Sequence, residues 1–99
     1  MRKALRQKRF EWRKHALQRL AERNIPQRQI LNVLRTGKLI EDYLEDKPYP
    51  SSLFLGIIEG RPLHVVVAYD EANDWAYIIT AYEPGMEKFE PDFVTRRKK

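Results

Sequence analysis

Cysteine is absent from the 99 residues. That excludes disulfides and thiolate metal sites and fits a cytoplasmic protein. Histidine is scarce: His15 and His64 are the only two, far apart and among scattered acids whose spacing does not favour a metal site, so no metal or other cofactor is expected. No apolar run approaches the roughly 20 residues of a membrane span. Phe10-Glu-Trp-Arg-Lys-His15 interrupts any signal-peptide apolar segment, so neither membrane insertion nor export is expected. A glycine-rich phosphate loop, an HExxH pair and a serine elbow are also missing; Ser51 and Ser52 sit in a proline-rich loop. The familiar phosphate-loop, zinc-hydrolase and serine-hydrolase chemistries are thereby excluded.

Acidic residues are rare where basic ones are dense. The first 35 residues hold eleven Lys and Arg against Glu11 and Glu22, and Arg96, Arg97, Lys98 and Lys99 close the chain, whereas the stretch from Glu41 to Asp92 is net acidic. Segregation of this kind implies a surface that meets a polyanion, with nucleic acid the first candidate and an acidic protein partner the second. With 42% hydrophobic and 33% charged residues, the balance is that of one globular domain.

Residues 1–9 lack apolar periodicity and read as a basic arm. From Phe10 to Asn24 a helical period takes over, with Trp12, Ala16 and Leu20 in one stripe and His15, Arg19 and Arg23 in a second beside it. Asn24-Ile-Pro26 stops that helix, because proline disfavours helical geometry in the residue before it and suits the next first turn. A second helix runs from Pro26 to Thr36, burying Ile30, Val33 and Leu34, with Gly37 as its cap. The period then becomes extended. Strands are expected at Leu39–Tyr43, Leu53–Ile58, Arg61–Tyr69 and Trp75–Tyr82, with a type II′ turn at Glu59-Gly-Arg-Pro62 and a polar turn from Asp70 to Asp74. The expected fold is α+β: two N-terminal helices packed on a four-stranded antiparallel sheet, with a core over residues 10–94 and a basic tail at 95–99. Met86 to Val94 carries Phe89 and Phe93 and is expected to dock as a short arm.

Alternation puts His64, Val66 and Ala68 on one sheet face and Leu63, Val65, Val67 and Tyr69 on the other. Pairing Tyr69 with Trp75 sets His64 opposite Thr80, with Tyr82 following on the same face and Tyr77 on the other. Pairing Glu59 with Pro62 sets Ile57 opposite His64. Both faces are rich in apolar groups and two short helices cover one of them, so the second calls for the C-terminal segment, a partner, or both. The polar groups that remain suit metal-free RNA cleavage. Histidine transfers protons near neutral pH, arginine matches phosphate oxygens, and tyrosine positions or donates.

The strings His15-Ala-x-x-Arg19-x-x-x-Arg23-x-Ile25, Gly37-x-Leu-Ile-Glu41-x-Tyr43, Pro48-x-Pro-Ser51, Arg61-Pro-Leu-His-Val65 and Ile78-Ile-Thr-x-Tyr82-x-Pro84 occur in that order. Over about residues 14–89 the chain resembles the domain of unknown function 4258 family, which is itself similar to the RelE-like toxins. The resemblance implies a RelE-like fold and a metal-independent endoribonuclease of a type II toxin–antitoxin system, neutralised by a cognate antitoxin. The expected substrate is mRNA, free or ribosome-bound. On this reading His64 is the general acid or base, His15 the second proton-transfer group, Arg19 and Arg23 the phosphate ligands, and Thr80 with Tyr82 the positioning groups. Arg13, Lys14 and Arg61 would contact RNA. A non-catalytic RNA- or ribosome-binding module and a protein-interaction domain are the alternatives.

Overall fold

Eight elements follow one another in the computed structural model, which describes residues 1–84 together with Asp92 and Val94. They are α1 (Arg2–Arg6), β1 (Phe10–Trp12), α2 (Lys14–Arg23), α3 (Gln27–Thr36), β2 (Lys38–Tyr43), β3 (Ser51–Ile58), β4 (Arg61–Asp70) and β5 (Trp75–Tyr82). The strands form one sheet in the order β1-β5-β4-β3-β2.

Helix α3 buries Ile30, Val33 and Leu34 completely, as its period requires, against the strand residues Phe54, Leu63 and Val65. Each such side chain contributes about 1.5–3 kcal/mol of burial. Helix α2 adds Ala16 and Leu20 and ends at Asn24, whose left-handed φ of 56° places its N–H on the Ala21 carbonyl. Asparagine tolerates that conformation, and Pro26 then starts α3. Both helices lie over the face that carries Leu63, Val65, Ala76, Ile78 and Ala81.

The structure corrects the expected N-terminus and strand count. Phe10–Trp12 is a fifth strand, and it pairs parallel with β5 through Phe10↔Ala76, Glu11↔Tyr77 and Trp12↔Ile78, so the sheet is mixed rather than antiparallel throughout. The helix therefore begins at Lys14 instead of Phe10. Alternating aromatics suit an extended edge: Phe10 and Trp12 turn to the core, while Glu11 accepts a 3.1 Å hydrogen bond from the Trp75 indole. The basic arm is also partly structured, since α1 buries Ala4 and Leu5. Its short period of two apolar residues was too weak to read as a helix without the groove that receives it. The expected arm at Met86 to Val94 and the tail at 95–99 lie largely outside the described residues.

Two registers differ from expectation. The β3–β4 loop is Glu59-Gly60, with φ of 53° and 79°, which is a type I′ turn rather than type II′. His64 consequently lies opposite Leu55, and Ile57 opposite Pro62. The shift is two residues, so the faces are unchanged. Between β4 and β5 the hairpin closes on Asp70↔Trp75, one residue from the expected pairing, and Ile79 is then left out of the ladder as a bulge between Val67↔Ile78 and Val66↔Thr80. Beyond the bulge His64 pairs with Tyr82 rather than Thr80. Before it, Tyr77 moves onto the face of His64 and Ile78 into the core, the reverse of expectation.

Asp70 fastens the β4–β5 turn. Asn73 donates to it from its side-chain amide at 2.7 Å and its backbone N–H at 3.2 Å. These bonds, the amide first, hold the Asp70 carboxyl below its ordinary pKa of 3.8, outweighing the opposing effect of burial. A depressed folded pKa means that the carboxylate stabilises the fold above the unfolded value and stops doing so as pH falls through the folded one. Asp70→Asn is therefore expected to flatten the fall of Tm below about pH 4. Superimposable acid limbs in thermal melts of the two proteins would exclude Asp70 as its source.

Candidate functional site

The sheet face turned away from α2 and α3 carries a polar and aromatic strip. His64 is completely buried there, and its ring meets that of Tyr82 edge-on, with centroids 5.5 Å apart and planes at 66°. Tyr82 and Thr80 are half-buried on the same face. The bulge at Ile79 creates this grouping, because an unbroken ladder would have turned Thr80 and Tyr82 toward the helices. Arg61, half-buried, pairs with Glu83 at the end of the β4–β5 ladder, both alternating to the opposite face from His64 and Tyr82.

A second cluster on this face was missed by reading the sequence. The Arg13 guanidinium lies over the Tyr77 ring at 4.5 Å, and Tyr49 stacks on the same ring at 5.4 Å with planes 3° apart. Tyr49 also bonds to Asp70, and the negative charge of Asp70 beside it raises the Tyr49 phenol above its ordinary value. The bulge is what puts Tyr77 on the strip: the buried residues of β5 fall at Ala76, Ile78 and Ala81, a break in the period of two.

Helix α2 does present His15, Arg19 and Arg23 in a row, but they serve different contacts. His15 Nδ1 is 3.2 Å from Gln18 Oε1, and Arg19 donates at 3.3 Å to Glu22 in an exposed pair. Both stay on the helical layer. Arg23 donates at 2.7 Å to the carbonyl of Ala81, between Thr80 and Tyr82 in β5. The structure thus brings His64, Thr80 and Tyr82 together and ties Arg23 to the strand beneath them, while no described contact joins His15 or Arg19 to that group. Lys14 is exposed at the start of α2.

Charge divides by layer. Of the eleven Lys and Arg in the first 35 residues, all lie in α1, β1, α2, α3 or their connections, and all but Arg9 and Arg13 are exposed. No group of three or more His, Asp or Glu suited to a metal ion occurs among the described residues. No helix among them is long and apolar enough to cross a membrane.

Fold and site together define a small α+β domain, with basic helices on one face of a mixed sheet and a polar, aromatic strip on the other. By sequence the chain belongs to the family described as Domain of unknown function (DUF4258), whose model matches residues 12–83. The matched span runs from the end of β1 to just past β5, so α1 precedes it. No curated protein and no solved structure matches the chain.

Proposed function

We propose that this protein binds RNA through its basic helical layer. The observation that carries the reading is the segregation of charge: the exposed cations of the first 35 residues share one layer, where only Glu11 and Glu22 oppose them. Phosphates draw such a surface by releasing counterions, and the Arg13–Tyr77–Tyr49 stack at its border offers planar groups to unpaired bases. The test is binding of a labelled single-stranded RNA to the pure protein across a salt series. Affinity that does not change with salt would end this reading.

The His64–Tyr82 pair favours a second reading, that of a RelE-like, metal-independent endoribonuclease from a type II toxin–antitoxin pair. Tyr82 would then be the group that meets RNA, since it is half-buried while His64 is fully buried against its ring. Thr80 and Arg23 would position that segment, and a cognate antitoxin would cover the strip. With chelator present, wild-type protein is expected to cut RNA; Tyr82→Phe is expected to lose the activity while keeping the wild-type melt, and His64→Gln, at a fully buried position, to lose it with a lowered Tm. Cleavage that survives in both variants would sink this mechanism.

A further inference from the structure

A cavity opens between α1, β1 and α3, on the helical layer and away from the His64 strip. It has a volume of about 580 Å³ and is lined by Leu5, Arg6, Lys8, Phe10, Leu31 and Arg35. Leu5 is buried and Phe10 and Leu31 are half-buried, which gives an apolar floor; Arg6, Lys8 and Arg35 are exposed and form its rim. No acid lines it, and the side chains of the three cations have no ion-pair or hydrogen-bond partner among the described residues. Three like charges around a low-dielectric hollow repel one another until an anion joins them.

We propose that this groove binds a small amphipathic anion, one with an apolar body and a single carboxylate, phosphate or sulfonate head. The volume lies in the range of small-molecule sites, which are mostly apolar with a few placed polar groups. The floor has no neutral donor or acceptor side chain with which to read a base edge, so an apolar body suits it better than a nucleotide. Lys8 supports a role for the rim. It closes α1 in a left-handed conformation, φ 59°, with its N–H on the Leu5 carbonyl and the Arg9 N–H on that of Ala4. Glycine would adopt that position with less strain, whereas the lysine found there sets a cation on the rim. Four of the six lining residues precede the span matched by the family model. The assignment does not depend on RNA binding.

The test is titration of the full chain with anilinonaphthalene sulfonate, followed by fluorescence and calorimetry. One saturable site per chain is expected, emptied by dodecanoate but not by inorganic phosphate or by a neutral alkyl glucoside. Arg35→Glu and Leu31→Asp are each expected to weaken the probe by about tenfold or more. Lys8→Gly should also weaken it while its Tm is equal to or above that of wild type, which separates loss of the site from loss of the fold. Non-saturable binding, or equal affinity in all three variants, would overturn the proposal. Displacement by RNA in preference to dodecanoate would assign the groove to the RNA surface, and displacement by an acidic helical peptide in preference to dodecanoate would assign it to a protein partner; either result overturns it as well.

Discussion

Raising monovalent salt from about 50 to about 200 mM is expected to weaken RNA binding by about 300-fold if some six phosphates are engaged. The loss follows from counterion release: each phosphate that a lysine or arginine neutralises returns cations to solution, and added salt opposes that return. On a single strand the slope of log K against log salt is about 0.7 per contact. Lys3, Lys14 and Arg28 are exposed on the helical layer and outside the cavity rim. Replacing all three with alanine should therefore reduce the slope by about 2 and leave the melt unchanged. Arg19 and Arg61 should matter less, because Glu22 and Glu83 already accompany them. A slope unchanged in the triple variant would move the RNA surface elsewhere on the molecule.

Gly37→Ala is expected to be the most damaging single methyl in the chain. A Cβ at Gly37 would stand 2.4 Å from the Val33 carbonyl oxygen and 2.5 Å from that of Leu55. Both are backbone atoms, one closing α3 and one in β3, and neither can give way without moving its element. Overpacking of this kind costs about 1–3 kcal/mol or more, and each kcal/mol lowers Tm by about 4–8 °C in a domain of this size. Gly37 has an extended conformation, φ −75° and ψ 176°, so the need is for space rather than for backbone freedom. Two other glycines make the contrast. At Gly56 the near atoms belong to the Val33 side chain, at 2.6 Å. At Gly60 nothing lies within 4 Å, but φ is +79°, so Gly60→Asn should be nearly silent. Thermal melts of Gly37→Ala, Gly56→Ala and Gly60→Asn should rank Gly37→Ala lowest and Gly60→Asn highest; a Gly37→Ala protein that melts with wild type would show that α3 and β3 are not held so close.

Much of the architecture was legible from local pattern. The stripe Ile30, Val33 and Leu34, the stop at Asn24-Ile-Pro26, and the four strands from β2 to β5 follow from periodicity and turn chemistry, which act over a few residues. β1 was not legible, because Phe10–Trp12 is three residues long and extended only by pairing with β5, more than 60 residues away. The Trp12, Ala16 and Leu20 spacing was equally consistent with one longer helix. For the candidate site, the residue types His64, Thr80 and Tyr82 were readable as a polar set. Their true neighbours were not, since Tyr77 joins that face, and Ile78 leaves it, through one bulged residue.

By itself, the sequence determined an α+β domain with its basic residues gathered in the N-terminal third, and it excluded thiolate chemistry outright. Composition and short-range periodicity are properties of neighbours along the chain, so these conclusions needed no fold. Only the tertiary structure decided which face each β5 side chain occupies, that α1 and β1 enclose an apolar hollow with three cations, and that Arg13 rests on Tyr77. Each of these depends on contacts between segments far apart in sequence. In a ladder with a period of two, a single extra residue exchanges core and surface, and no local preference fixes where that residue falls.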